Sequence, residues 1–137
     1  MSNTKPLIIT TLIGGVLTVI ANYILLMVGK PFTHVPDTFM TLSAGPVIAW
    51  SIFGTIGAGI TYMLTRKFAQ NPNKAFIRIS AVVLILSFIP DVLIHGKDSG
   101  PFVGVTWSAV FLLMLMHVAA AGILVYILTK YTKPKGL

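Results

Sequence analysis

The sequence has no cysteine, which excludes disulfides, thiolate metal sites and cysteine nucleophiles. Charge is nearly as scarce. Ten basic and three acidic side chains make up 9% of 137 residues, where a soluble domain carries about a quarter. So few ionised groups cannot coat a molecule of this size in water, so the missing polar surface must face lipid or a very large partner, and lipid is the expected one. The three acids, Asp37, Asp91 and Asp98, leave little for general acid–base catalysis. No hydrolase, kinase, dinucleotide or zincin pattern occurs, and neither an enzyme nor a cofactor is expected.

What is present is apolar: 55% of residues are hydrophobic and the mean hydropathy is +0.90. Four long runs stand out, at 7–28, 46–65, 75–94 and about 103–128. The first holds 22 residues without a charge. As a helix it spans about 33 Å, enough for the hydrocarbon core of a bilayer. It is too long for the core of a signal peptide, and no small-x-small cleavage site follows it. Pro46 suits the start of the second run, where a missing N–H does no harm. Arg78 and Pro90-Asp91 interrupt the third near its two ends. The expected fold is all-α, a four-helix transmembrane bundle forming one domain over residues 1–137.

Charge placement sets the expected orientation. If the helices alternate, Lys5, Arg66, Lys67, Lys74, Arg78, Lys130, Lys133 and Lys135 share one side. Lys30, Lys97 and all three acids fall on the other. The basic side is expected to be cytoplasmic, giving N-in and C-in. A net charge of +7 is compatible with nucleic-acid binding, but these charges sit in short clusters beside apolar runs. That pattern suits anionic headgroups on the cytoplasmic side, so lipid rather than nucleic acid is the expected partner. Aromatic side chains suggest belts at both headgroup layers: Phe32, Phe39, Trp50, Phe102 and Trp107 outside, Tyr62, Phe68, Phe76, Tyr126 and Tyr131 inside.

Polar residues within the runs fall on stripes. Thr11, Gly14, Gly15, Thr18 and Asn22 share a face of the first helix; Ser51, Thr55, Gly59 and Tyr62 share one on the second. Ser80, Ser87 and Asp91 recur on the third, and Val110, Met114, His117, Ala120 and Ala121 on the fourth. Small and hydroxyl residues at this spacing let helices approach and hydrogen-bond, so the stripes locate a bundle interior without identifying an activity.

His117 is the sharpest feature, near the middle of the fourth run and just after Met114 and Met116. A neutral imidazole at that depth has one donor and one acceptor to satisfy. Asn22, Ser87 and Thr55 are its expected partners. Three roles stay open: a structural hydrogen bond, a pocket or pathway, and ligation of a metal or haem. Haem with two axial histidines needs a second one at similar depth, whereas His34 and His95 fall at the outer surface. Asp91, about one turn before the outer end of the third helix, is expected to reach headgroups or water. The alternative is a polar vestibule that it shares with Asn22 and His117.

The segments Ala21-Asn22-Tyr23, Ser87-Phe88-Ile89-Pro90 and Met116-His117-Val118-Ala119-Ala120 resemble an uncharacterised family of short bacterial integral membrane proteins with about four helices. The resemblance covers most of the chain and implies a multi-pass protein of the bacterial cytoplasmic membrane. It draws attention to Asn22, Ser87 and His117 and implies no activity. Asp91 stands where relatives are expected to carry a less polar residue. The expected function is binding of a small ligand or lipid in a polar interior near His117, or service as an accessory subunit of a larger assembly. The alternative is a small homo-oligomeric transporter or channel.

Overall fold

Each apolar run forms one α-helix in the computed structural model, which describes residues 4–97 and 100–132. Asp98, Lys133 and Lys135 lie outside the described residues. The helices are α1 (Lys5–Gly29), α2 (Ala44–Phe68), α3 (Pro72–Leu93) and α4 (Trp107–Tyr131), with no strand among the described residues. All four are long and apolar enough to cross a membrane. Both described termini and the 69–71 connector fall at one end of the bundle, here the terminal end. Residues 30–43 and 94–106 form the opposite loop end.

The helices run past the apolar cores where capping chemistry lets them. α2 continues through Arg66 and Lys67, cations placed in the last turn where the helix dipole favours them. α3 starts at Pro72, and the Asn71 side chain accepts from the Lys74 N–H at 3.1 Å. α4 starts four residues later than its apolar run. Gly104 has φ +83°, a left-handed turn that cannot join a helix, and Thr106 caps the helix by accepting from the Ala109 N–H at 3.2 Å. A Cβ on Gly104 would lie 2.7 Å from Pro36, so only glycine fits there.

α1 packs most extensively, against α4 on one side and α2 on the other, while α3 packs on α4 and α2. The α1–α2 contact is an interlock. Thr11 and Gly15 on α1 meet Gly59 and Thr55 on the antiparallel α2, so each threonine methyl fills the space over the opposing glycine. A Cβ on either glycine would come within 2.8 Å of the facing threonine Cγ2. Both threonines turn their hydroxyls back onto their own helix, Thr11 to the Leu7 carbonyl and Thr55 to the Ser51 carbonyl, each at 2.8 Å. This spends the polar group locally and presents the methyl.

The two ends of the bundle are packed differently. At the loop end, Phe39 and Leu42 fold inward with Leu26, Val110 and Leu113. Thr106 donates to the Thr33 carbonyl, tying the two loops together. At the terminal end, Tyr62, Phe76, Leu7 and Leu128 form a second cluster. Tyr62 and Phe76 meet edge-on with centroids 5.0 Å apart. The Tyr62 hydroxyl donates to Asn73 Oδ1 at 2.6 Å, and Asn73 donates to the Thr129 carbonyl at 3.3 Å.

Three of the expected belt aromatics are therefore core residues. Phe39, Tyr62 and Phe76 are fully buried, because each has a facing helix or loop to cover it. Phe32, Trp50, Phe68, Trp107, Tyr126 and Tyr131 do face outward, and Phe102 is half-buried against the loop-end cluster.

Candidate functional site

α3 is held unlike the other helices. Its only buried residues are Pro72 and Phe76 at one end and Asp91 at the other. Between these points it stands slightly away from α2 and α4, and a groove of about 310 Å³ runs along the gap. Phe76, Ile79, Ser80, Val83, Leu84 and Ser87 form its α3 wall. Gly54, Gly57, Ala58 and Thr61 come from α2; His117, Ala120, Ala121, Leu124 and Val125 come from α4. Bare backbone at Gly54 and Gly57 opens the space: a Cβ at either would meet nothing within 4 Å. The lining is overwhelmingly apolar, with His117 as its only ionisable side chain.

Asp91 faces the bundle rather than outward, beside His117 but apart from Asn22. It is 7% exposed, and its Oδ2 lies 3.0 Å from His117 Nδ1. Nδ1 also lies 2.8 Å from the Leu113 carbonyl oxygen of its own helix. One ring N–H therefore faces two acceptors. Its alignment favours the carbonyl, leaving Oδ2 buried without an aligned hydrogen-bond donor.

Side-chain direction explains how the two residues meet. His95 stacks on Trp107 with centroids 4.0 Å apart, so these positions are level. Asp91 is four residues, about 6 Å, below that level, and His117 is ten residues, about 15 Å, below it. Helical side chains lean toward their own N-terminus. In the antiparallel α3 and α4 this carries His117 toward the loop end and Asp91 toward the terminal end, and the two converge.

The expected partners of His117 are engaged elsewhere. Asn22 donates to Ser51 Oγ at 2.9 Å, joining α1 to α2, and Ser51 in turn donates to the Val47 carbonyl at 2.7 Å. Thr55 bonds back to Ser51, and Ser87 bonds back to the Leu84 carbonyl at 2.6 Å. Asn22 Oδ1 and the neighbouring Thr18 Oγ1 are buried and unpartnered. The five candidate residues thus divide into an α1–α2 pair around Asn22 and Thr55, an α3–α4 pair of Asp91 and His117, and Ser87 on the groove wall. No group of three metal-ligating side chains occurs among the described residues. The most buried face of α4 runs through Val110, Leu113 and Met116 rather than Met114 and His117, so His117 sits at the edge of the core with a side chain 41% exposed.

A model of a family of unknown function, DUF6069, matches residues 2–134. The chain belongs to that family. No curated protein and no solved structure matches it. With four helices able to cross a bilayer, this DUF6069 member is a multi-pass membrane protein.

Three of its features were not read from the sequence. Ser51 lies on the expected α2 stripe, yet its pairing with Asn22 depends on the α1–α2 register. The Asn73 bridge begins in a segment that reads as a polar connector. The groove arises where three helices diverge, which no single helix pattern records. A signal did exist in Gly54 and Gly57, which lie off the Ser51, Thr55 and Gly59 stripe that packs on α1.

Proposed function

We propose that this protein binds the apolar chain of a bilayer amphiphile in the groove between α2, α3 and α4, with the polar end of the ligand at His117. The observation that carries this reading is the groove itself, about 310 Å³ of apolar space running from Phe76 to one histidine. Its volume is at the lower end of small-molecule sites, which are typically about 300–1,000 Å³. The groove lies in a helix gap within the spanning segments, so the most abundant species able to enter it is a lipid chain. The reading is non-enzymatic, since the groove holds no nucleophile with an adjacent base. It places the protein in the bacterial cytoplasmic membrane with both termini inside, as a lipid-binding or accessory component. Arg66, Lys67, Lys74 and Arg78 would meet anionic headgroups on that side.

A groove-filling variant tests it. Gly57→Leu introduces a side chain into space that is open in the structure, so packing should survive while the groove is lost. Native mass spectrometry after incubation with oleyl methyl ether should show the bound adduct on the wild type and not on the variant. Equal adducts on both would refute the groove as the site.

The same open glycines favour a second reading, a homo-oligomeric transporter or channel in which another copy packs against Gly54 and Gly57. A strictly monomeric species in the same spectra would remove it.

A further inference from the structure

The chemistry at the His117 end of the groove narrows the ligand class, an inference that rests on the groove reading. His117 presents two different nitrogens. Nδ1 faces only acceptors, the Leu113 carbonyl at 2.8 Å and Asp91 Oδ2 at 3.0 Å. A ring carrying a single proton therefore keeps it on Nδ1, because a bare lone pair there would oppose two oxygens. Nε2 is then an acceptor. No protein donor reaches it among the described residues, and the ring is part of the groove lining. Ser87, a hydroxyl on the α3 wall, has already given its proton to Leu84. With the ring singly protonated, the end of the groove therefore offers an acceptor and no donor.

We infer that the groove selects a chain ending in a hydroxyl, such as a long-chain alcohol, whose O–H donates to His117 Nε2. Asp91 acts as a positioning residue that, with the Leu113 carbonyl, fixes the ring tautomer. The arrangement discriminates against ethers and esters of the same length, which bring an acceptor to an acceptor and leave the nitrogen unsatisfied.

The test compares oleyl alcohol with oleyl methyl ether, which share a chain and differ in the O–H. Affinities for the wild type, His117→Phe and Gly57→Leu are measured in micelles by ligand-dependent thermal shift. The wild type should prefer the alcohol by about two- to tenfold, the range of one net hydrogen bond. His117→Phe should lose that preference while still binding the ether. Gly57→Leu should bind neither. Wild-type binding of both ligands with equal affinity, or tighter binding of the ether, overturns the hydroxyl assignment and leaves the groove reading standing. Binding of neither ligand by the wild type overturns both. If His117→Phe fails to fold, the ¹⁵N signals of His117 in the wild type decide. A bare Nε2 that shifts on adding the alcohol but not the ether supports the assignment, and a protonated Nε2 refutes it.

Discussion

Replacing Gly59 with alanine tests the packing logic of the bundle most directly. The added Cβ would sit 2.8 Å from Thr11 Cγ2, 3.1 Å from its Oγ1 and 3.5 Å from its Cβ. Carbon atoms prefer about 3.5–4.0 Å, so α1 and α2 must separate by roughly 0.7–1.2 Å or Thr11 must rotate. Rotation is resisted, because the Thr11 hydroxyl is bonded to the Leu7 carbonyl at 2.8 Å. Overpacking of this kind costs about 1–3 kcal/mol, against which alanine recovers up to about 1 kcal/mol of helix propensity. The expected net loss is about 0–2 kcal/mol, and about 1–3 kcal/mol relative to a glycine-to-alanine change in open space, read from reversible unfolding in mixed micelles titrated with denaturing detergent. Gly57→Ala is the control, since its Cβ meets nothing within 4 Å, and it should be neutral or slightly stabilising. Thr11→Ala combined with Gly59→Ala should recover most of the loss by removing the clashing methyl. The interlock is wrong if Gly59→Ala and Gly57→Ala unfold together.

The pair of Asp91 and His117 should behave asymmetrically. His117→Phe leaves a buried carboxylate without its partner and should cost about 1–3 kcal/mol. Asp91→Leu leaves Nδ1 bonded to Leu113 and should cost little, and adding it to His117→Phe should restore stability in the same unfolding assay. Equal losses from the two single variants would count against the pairing. For orientation, the absence of cysteine makes single-cysteine labelling free of background. Gln70→Cys should react with an impermeant maleimide only after cells are permeabilised, and Met40→Cys should react from outside. The reverse pattern would refute the expected topology.

The four helices were legible because their lengths and hydropathy are extreme, and local chemistry accounts for the boundary differences. Gly104 and Thr106 delay α4 although Val103 and Val105 extend its apolar run, and α2 gains a turn because Arg66 and Lys67 suit a helix end. The stripes correctly pointed inward for Thr18, Asn22, Ser51, Thr55 and Gly59, all of which face other helices. The site was half visible. His117 and Asp91 both stand out in the sequence, but backbone position alone separates them by about two turns. Two antiparallel side chains leaning toward each other close that distance. Phe39 and Tyr62 were misplaced for a related reason: an aromatic near a helix end reads as a belt residue until a covering partner is known.

The two-point seating of α3 also bears on how the chain is built. Its acid anchor, Asp91, precedes the residue it docks on by a loop and nearly half a helix, so during synthesis the third helix emerges before its berth exists. Until the fourth helix arrives, Asp91 is an unpaired acid in a segment bound for hydrocarbon, and its place near the helix end lets it wait at the water layer. The third helix would then be the last to settle, drawn down once the histidine is in place.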